Sequence, residues 1–205
     1  MLKYLIYILL AAVVIGLIGS GVHLWRVARK NEKEMAPYAG EPVAVTKNLG
    51  RVLVVYYSLS GHTREIAEKI RQVTGGDLYE IKTTEKLDSS PWYYLTLRSQ
   101  LKSGNYPSIE NNFPQFAAYD TIFVGAPVWW YTIATPVLSF LQQADFGGKK
   151  VVPFSTQGSN YGTFFEDFAA RAQNASLAKG ASFNNLPAKY DAQVNNKIAV
   201  WLNGL

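Results

Sequence analysis

From Val52 to the end, the chain repeats an apolar β-branched or aromatic run, a small-residue loop and a helix-patterned stretch. That repetition is the strongest constraint on its fold, because consecutive strands joined through helices must lie parallel, with right-handed crossovers. The first run, VLVVYY at 52–57, has no polar alternation and predicts a strand covered on both faces. Residues 63–73 place Ile66, Ala67, Ile70 and Val73 on one helical face, and Gly75-Gly76 ends that helix. The same reading predicts strands at 78–81, 121–125, 150–155 and 177–183. Helices are expected at 91–102 (irregular), 135–143, 161–174 and 191–202, with a polar, proline-marked passage at 105–120. The expected architecture is α/β, a doubly wound parallel sheet whose ligands bind at the carboxyl ends of the strands.

A second feature precedes this unit. Residues 4–25 form an apolar run without Asp, Glu, Lys or Arg, with Tyr4, Tyr7 and Trp25 near its ends. At about 1.5 Å per residue, a helix of this length crosses the roughly 30 Å hydrocarbon layer of a bilayer. A cleaved signal peptide would carry a shorter apolar core and a small-residue cleavage point, so the run reads as an uncleaved transmembrane anchor. Arg26, Arg29, Lys30 and Lys33 follow it, against Lys3 before it. The positive-inside bias predicts a single-pass protein of a bacterial inner membrane with its C-terminal part in the cytoplasm. Residues 26–50, with Pro37, Gly40, Pro42 and Gly50, are expected to be a linker, leaving 51–205 as the globular domain.

Composition narrows the chemistry. There is no cysteine, which removes disulfides, thiolate nucleophiles and iron–sulfur ligands, so redox chemistry would need a bound cofactor. His23 and His62 are the only histidines, which leaves little material for a zinc site or a Ser-His-Asp triad, and no metal or catalytic side chain is expected. Residues 51–205 carry fourteen Lys/Arg against twelve Asp/Glu, with no basic stripe of the kind that reads nucleic acid.

Three loops at expected strand ends concentrate polar and aromatic groups. Ser58-Leu59-Ser60-Gly61-His62-Thr63 opens a helix; it reads as a phosphate cradle of hydroxyls and helix N-terminal amides, or as a plain cap by Ser60 or Thr63. It lacks the lysine of a triphosphate-binding loop and the GxGxxG of a dinucleotide site. Pro127, Val128, Trp129, Trp130 and Tyr131 follow the third strand, offering flat apolar walls to a planar heterocycle, with at least one Trp expected to pack into the domain. Thr156, Gln157, Gly158, Ser159 and Gly162 follow the fourth strand and suit a polar ring edge, although an ordinary turn would look similar.

In order and spacing, SLSGHT, YDTIFVGAPVWWYTIATPVLSFL and GGKKVVPFSTQGSNYG resemble the flavodoxin-like family over nearly all of 51–205. PVWWY with PFST is closer to its NAD(P)H:quinone-oxidoreductase branch than to short carrier flavodoxins. The resemblance implies a flavodoxin-like, five-stranded parallel sheet of order 2-1-3-4-5, and non-covalent FMN at the switch point between the first and third strands. It implies phosphate contacts from Ser58, Ser60, Gly61 and Thr63, and ring contacts from the other two loops; His62, beside them, points at the phosphate or into solvent. Two departures stand out: the domain is near neutral where carrier flavodoxins are acidic, and a membrane anchor is not a usual family feature. The leading expectation is an FMN-dependent oxidoreductase moving electrons from NAD(P)H to a quinone-like acceptor. The alternatives are a membrane-tethered electron carrier serving a redox protein, and an interaction module without the cofactor.

Overall fold

The structure is a computed structural model that describes residues 2–87 and 93–205. It begins with a long helix, α1 (Leu2–Met35). The domain then runs β1 (Val52–Tyr56), α2 (His62–Thr74), β2 (Asp77–Glu80), α3 (Tyr93–Ser103), β3 (Thr121–Trp129), β4 (Thr132–Ile133) and α4 (Thr135–Gln143). It closes with β5 (Lys150–Gln157), α5 (Phe164–Ala169), β6 (Ser176–Leu177), β7 (Ala181–Asn184) and α6 (Asp191–Asn203). The first two residues of the helix expected at 91–102 lie outside the described residues.

The parallel sheet has the order β2-β1-β3-β5, with β6 and β7 sharing the outer position beside β5 and β4 pairing antiparallel with β3. Strand alternation sends Leu53, Val55, Ile122 and Val124 into one core with α4 and α5. It sends Val52, Val54, Phe123 and Phe154 into another with α2 and α6. Both faces are therefore covered, as the unbroken apolar run at 52–57 requires.

The fifth strand departs from expectation by splitting in two. β6 pairs with Lys150 and Val151, and β7 pairs with Phe154 to Gln157. The carbonyls of Lys149 and Val151 accept from Ser176 and Ala178 on this edge, so by two-residue alternation Pro153 faces the same way. Proline has no N–H to donate, and the ladder is interrupted there. The helix expected at 161–174 is also shorter. Gln173 and Asn174 leave it to accept the Phe146 and Gly148 amides, and Asn174 adopts φ +49 while its side-chain amide donates to Asp145.

The stretch expected as a linker is structured. Helix α1 continues unbroken through residues 26–35 and buries Met35 in the α2/α6 core. Residues 36–50 then lie along α6. The Asn196 side-chain amide donates to the carbonyls of Tyr38 and Glu41 and accepts from the Val43 amide, while Asn203 does the same for Ala44 and Thr46. Farther out, α1 turns exposed Val13, Ile15, Leu17, Ile18 and Leu24 away from the domain. Its residues from Ala12 onward are long and apolar enough to span a membrane, and none of that window is buried.

Candidate functional site

The first loop leaves β1 with the Tyr57 amide bonded to the Gly125 carbonyl, which ties it to β3. Gly61 takes φ +97, a conformation that glycine adopts without the Cβ penalty, and stands at the N-cap of α2. No side chain caps this helix among the described residues; Ser58 Oγ instead accepts the Gly61 amide at 3.1 Å. Of the two readings of the loop, capping by Ser60 or Thr63 is therefore not the one observed. Ser60 and His62 are exposed, and the first-turn amides open beside them with the positive end of the helix dipole. The Thr63 hydroxyl is buried and paired with Thr156 Oγ1 at 2.8 Å, so these two residues stitch the first loop to β5.

The second loop is a hairpin where an open loop was expected. β3 continues past Gly125 to Trp129, and Val128 and Trp129 pair with Ile133 and Thr132. The two turn residues, Trp130 and Tyr131, hold φ +51 and +64. A two-residue hairpin wants positive φ at both central positions, which usually selects Asn-Gly. Here two bulky rings occupy them, and backbone strain of this kind persists only where the surroundings impose it. Alternation turns Trp129 to the opposite side from Val128, edge-on to Tyr57 at 5.7 Å and Tyr93 at 6.1 Å. It is the tryptophan that packs inward. Burial first, then Tyr93 and Glu80, push the Tyr57 hydroxyl far above its ordinary value, so this aromatic corner stays neutral.

The third loop grips the hairpin. Gly162, at φ +54, lies so close to the Tyr131 backbone that a Cβ there would stand 2.1 Å from the Tyr131 carbonyl oxygen. The Thr163 amide donates to that same carbonyl at 2.8 Å. Beneath the turn, Asp167 accepts from the hydroxyls of Thr132 and Thr163 and pairs with Arg171. Burial acts against its ionisation. The two hydroxyl bonds and the Arg171 guanidinium outweigh that and hold the carboxyl below its ordinary value.

Between hairpin and third loop opens a cavity of about 460 Å³ lined by Val128, Trp130, Tyr131, Gln157, Gly158, Ser159 and Asn160. It lies on the same sheet edge as the uncapped α2 terminus, where open α/β sheets bind ligands. A family model described as Flavodoxin matches residues 51–203. The chain belongs to the flavodoxin family.

Solved flavoproteins bear this out. One from Bacteroides eggerthii is 27% identical at a TM-score of 0.64, covering 76% of this chain and 97% of its own. One from Bacteroides uniformis is 26% identical at 0.63, covering 75% and 97%. A third, from Lactobacillus acidophilus and solved in complex with FMN, is 27% identical at 0.59, covering 65% and 93%. No curated protein matches the chain.

Within this flavodoxin domain the expected residues divide by role. Val128, Trp130, Tyr131, Gln157, Gly158 and Ser159 line the cavity, and Ser58, Ser60 and Gly61 surround the α2 terminus. Pro127 is paired into the sheet opposite Thr156. His62 borders a small cleft with Thr156, Asn184 and Asp191 on the α6 side. Trp129, Thr63, Thr156 and Gly162 hold the frame and are absent from the cavity wall. Sequence reasoning passed over Asn160, whose side-chain oxygen accepts the Gly162 amide; the Asn-x-Gly spacing of an Asx turn was the available signal. It also passed over Asp167, which lies mid-helix and has no local signature.

Proposed function

We propose that the domain binds FMN non-covalently and works as a membrane-anchored oxidoreductase, taking electrons from NAD(P)H and passing them to a quinone-like acceptor. The observation that carries the reading is the pairing, on one sheet edge, of an uncapped helix N-terminus with a cavity of about 460 Å³ walled by Trp130 and Tyr131. That combination suits a phosphate joined to a flat ring, since the α2 amides and the Ser58 and Ser60 hydroxyls meet an anion without a competing capping side chain. Arg64, which follows the loop directly in sequence, is engaged by Glu80, so the cradle would rely on amides and hydroxyls.

FMN, when bound, supplies the redox chemistry, accepting a hydride or electrons and releasing them to a second partner. The protein's part is to hold and shield it. Val128, Trp130 and Tyr131 would exclude water from one side. Gln157 and the backbone of Gly158 and Ser159 would present polar groups to the ring edge. Gln157 is itself held by Asn184, 3.3 Å away, so its orientation is set before the cofactor arrives.

Helix α1 would anchor the protein as a single-pass span of a bacterial inner membrane, with Arg26, Arg29, Lys30 and Lys33 keeping the domain in the cytoplasm. The division into anchor (4–25), linker (26–50) and FMN-binding domain (51–205) belongs to the same proposal. The test is the visible spectrum of the full chain in detergent after FMN addition, followed by anaerobic titration with NADH and NADPH. Flavin absorption that bleaches with a nicotinamide supports the reductase. Binding without bleaching refutes it in favour of a tethered carrier, and no binding refutes the cofactor.

A further inference from the structure

Helix α1 meets the domain at a defined height and from a defined direction. Met35 is buried in the core that also holds Val54, Phe154 and Phe183. Within the preceding turn, Asn31 and Glu34 accept from the side-chain amide of Asn184, the last residue of β7. The residue before Asn31, Lys30, donates from Nζ to the carbonyl of Ser159, two residues beyond the end of β5 and in the cavity wall. Traced from Met35 back toward the N-terminus, α1 therefore climbs the sheet and leaves it at the carboxyl edge. The junction is continuous with the cavity, because Asn184 also holds Gln157. Lys197, beside Glu34, is fixed by the Ser182 carbonyl at 2.7 Å and lies against the Phe183 ring.

The same edge exposes aromatic and apolar groups. Trp130 is 45% exposed, Tyr131 61%, Tyr161 43% and Leu59 46%, and all four stand on the three cavity-edge loops. Five residues of helix separate Lys30 from Trp25, where the apolar run ends, a rise of about 7.5 Å. That is about the depth of one headgroup layer. Tyr and Trp favour this layer, and Arg26 and Arg29 lie within this stretch of α1.

We propose that the α1 junction seats the cofactor edge of the domain against the bilayer that α1 spans, with Trp130, Tyr131 and Tyr161 reaching its headgroups. The inference rests on the reading of α1 as a membrane anchor. Its consequence is directional: an acceptor dissolved in the bilayer reaches the cavity from the lipid side, while the amino edge of the sheet faces the aqueous phase. Residues 36–50, bonded along α6, hold the domain in this pose.

Because the chain has no cysteine, single fluorescent labels can be placed by Tyr161→Cys at the cavity edge and Gln142→Cys at the far end of α4. The full-length protein is reconstituted in phosphatidylcholine/phosphatidylglycerol vesicles containing lipids with a nitroxide on the headgroup, and flotation is scored alongside quenching. Quenching at position 161 several-fold stronger than at 142, lost when a flexible Gly/Ser segment is inserted after Trp25, supports the proposal. Equal quenching, or stronger quenching at 142, in protein that still floats with the vesicles overturns it and leaves the anchor intact. Protein that fails to float overturns the anchor and the proposal together.

Discussion

Replacing Gly162 by alanine tests whether the third loop imposes the strained hairpin. Two costs can be worked from the structure. At φ +54 an alanine backbone is left-handed, which costs about 1–2 kcal/mol. The new Cβ would stand 2.1 Å from the Tyr131 carbonyl oxygen and 2.7 Å from its carbon, both backbone atoms, where ordinary contact begins near 3.4 Å. The two loops must separate by about 1 Å, enough to forfeit the 2.8 Å bond from the Thr163 amide at about 1 kcal/mol. Together the apo protein should lose about 2–3 kcal/mol, or about 1 M in the urea midpoint for a slope of about 2 kcal/mol/M. FMN affinity, read by quenching of flavin fluorescence, should fall as well, since the displaced Tyr131 forms part of the cavity wall. Gly158→Ala is the control. It lies in the same loop, without positive φ, and its Cβ would meet nothing within 4 Å, so stability should stay within about 0.5 kcal/mol. An unchanged midpoint for Gly162→Ala, or an equal loss for Gly158→Ala, would refute the reasoning.

Three further outcomes follow from contacts elsewhere. Thr63→Val leaves the buried Thr156 hydroxyl without its partner and should lower stability by about 1–3 kcal/mol in thermal unfolding. Asp167 has a folded-state pKa below its unfolded value of about 3.9, so its contribution is full above that pH and fades as pH falls through the folded value. Unfolding measured below about pH 4 should therefore show an acid loss that is shallower in Asp167→Asn. Asn196→Ala removes three hydrogen bonds at a position only 6% exposed, and should cost about 2–3 kcal/mol while making 36–50 sensitive to limited proteolysis. Resistance equal to the wild type would mean that the segment is held by something other than α6.

Local pattern carried much of this protein's design. The apolar run at 52–57, the face of Ile66, Ala67 and Ile70, and the small-residue loops at strand ends are readable because period and turn chemistry act over a few residues. From them come the α/β sheet, its ligand edge and three loops that do converge there. The exposed apolar length of α1 is equally a property of composition.

Tertiary structure decided the rest, because the forces involved join residues far apart in the chain. Trp130 and Tyr131 have no local preference for left-handed backbone; the Thr163 amide and the Asp167 carboxylate, more than thirty residues on, hold them there. Pro153 interrupts the outer strand only because the register turns its missing N–H toward β6 and β7. Residues 26–50 have a linker's composition, yet Asn196 and Asn203 bind 36–50 along α6, and Lys30 meets Ser159 across 129 residues. Short-range patterning determined which elements form and where a ligand edge must lie. Long-range hydrogen bonding determined the shape of that edge and the direction from which α1 reaches it.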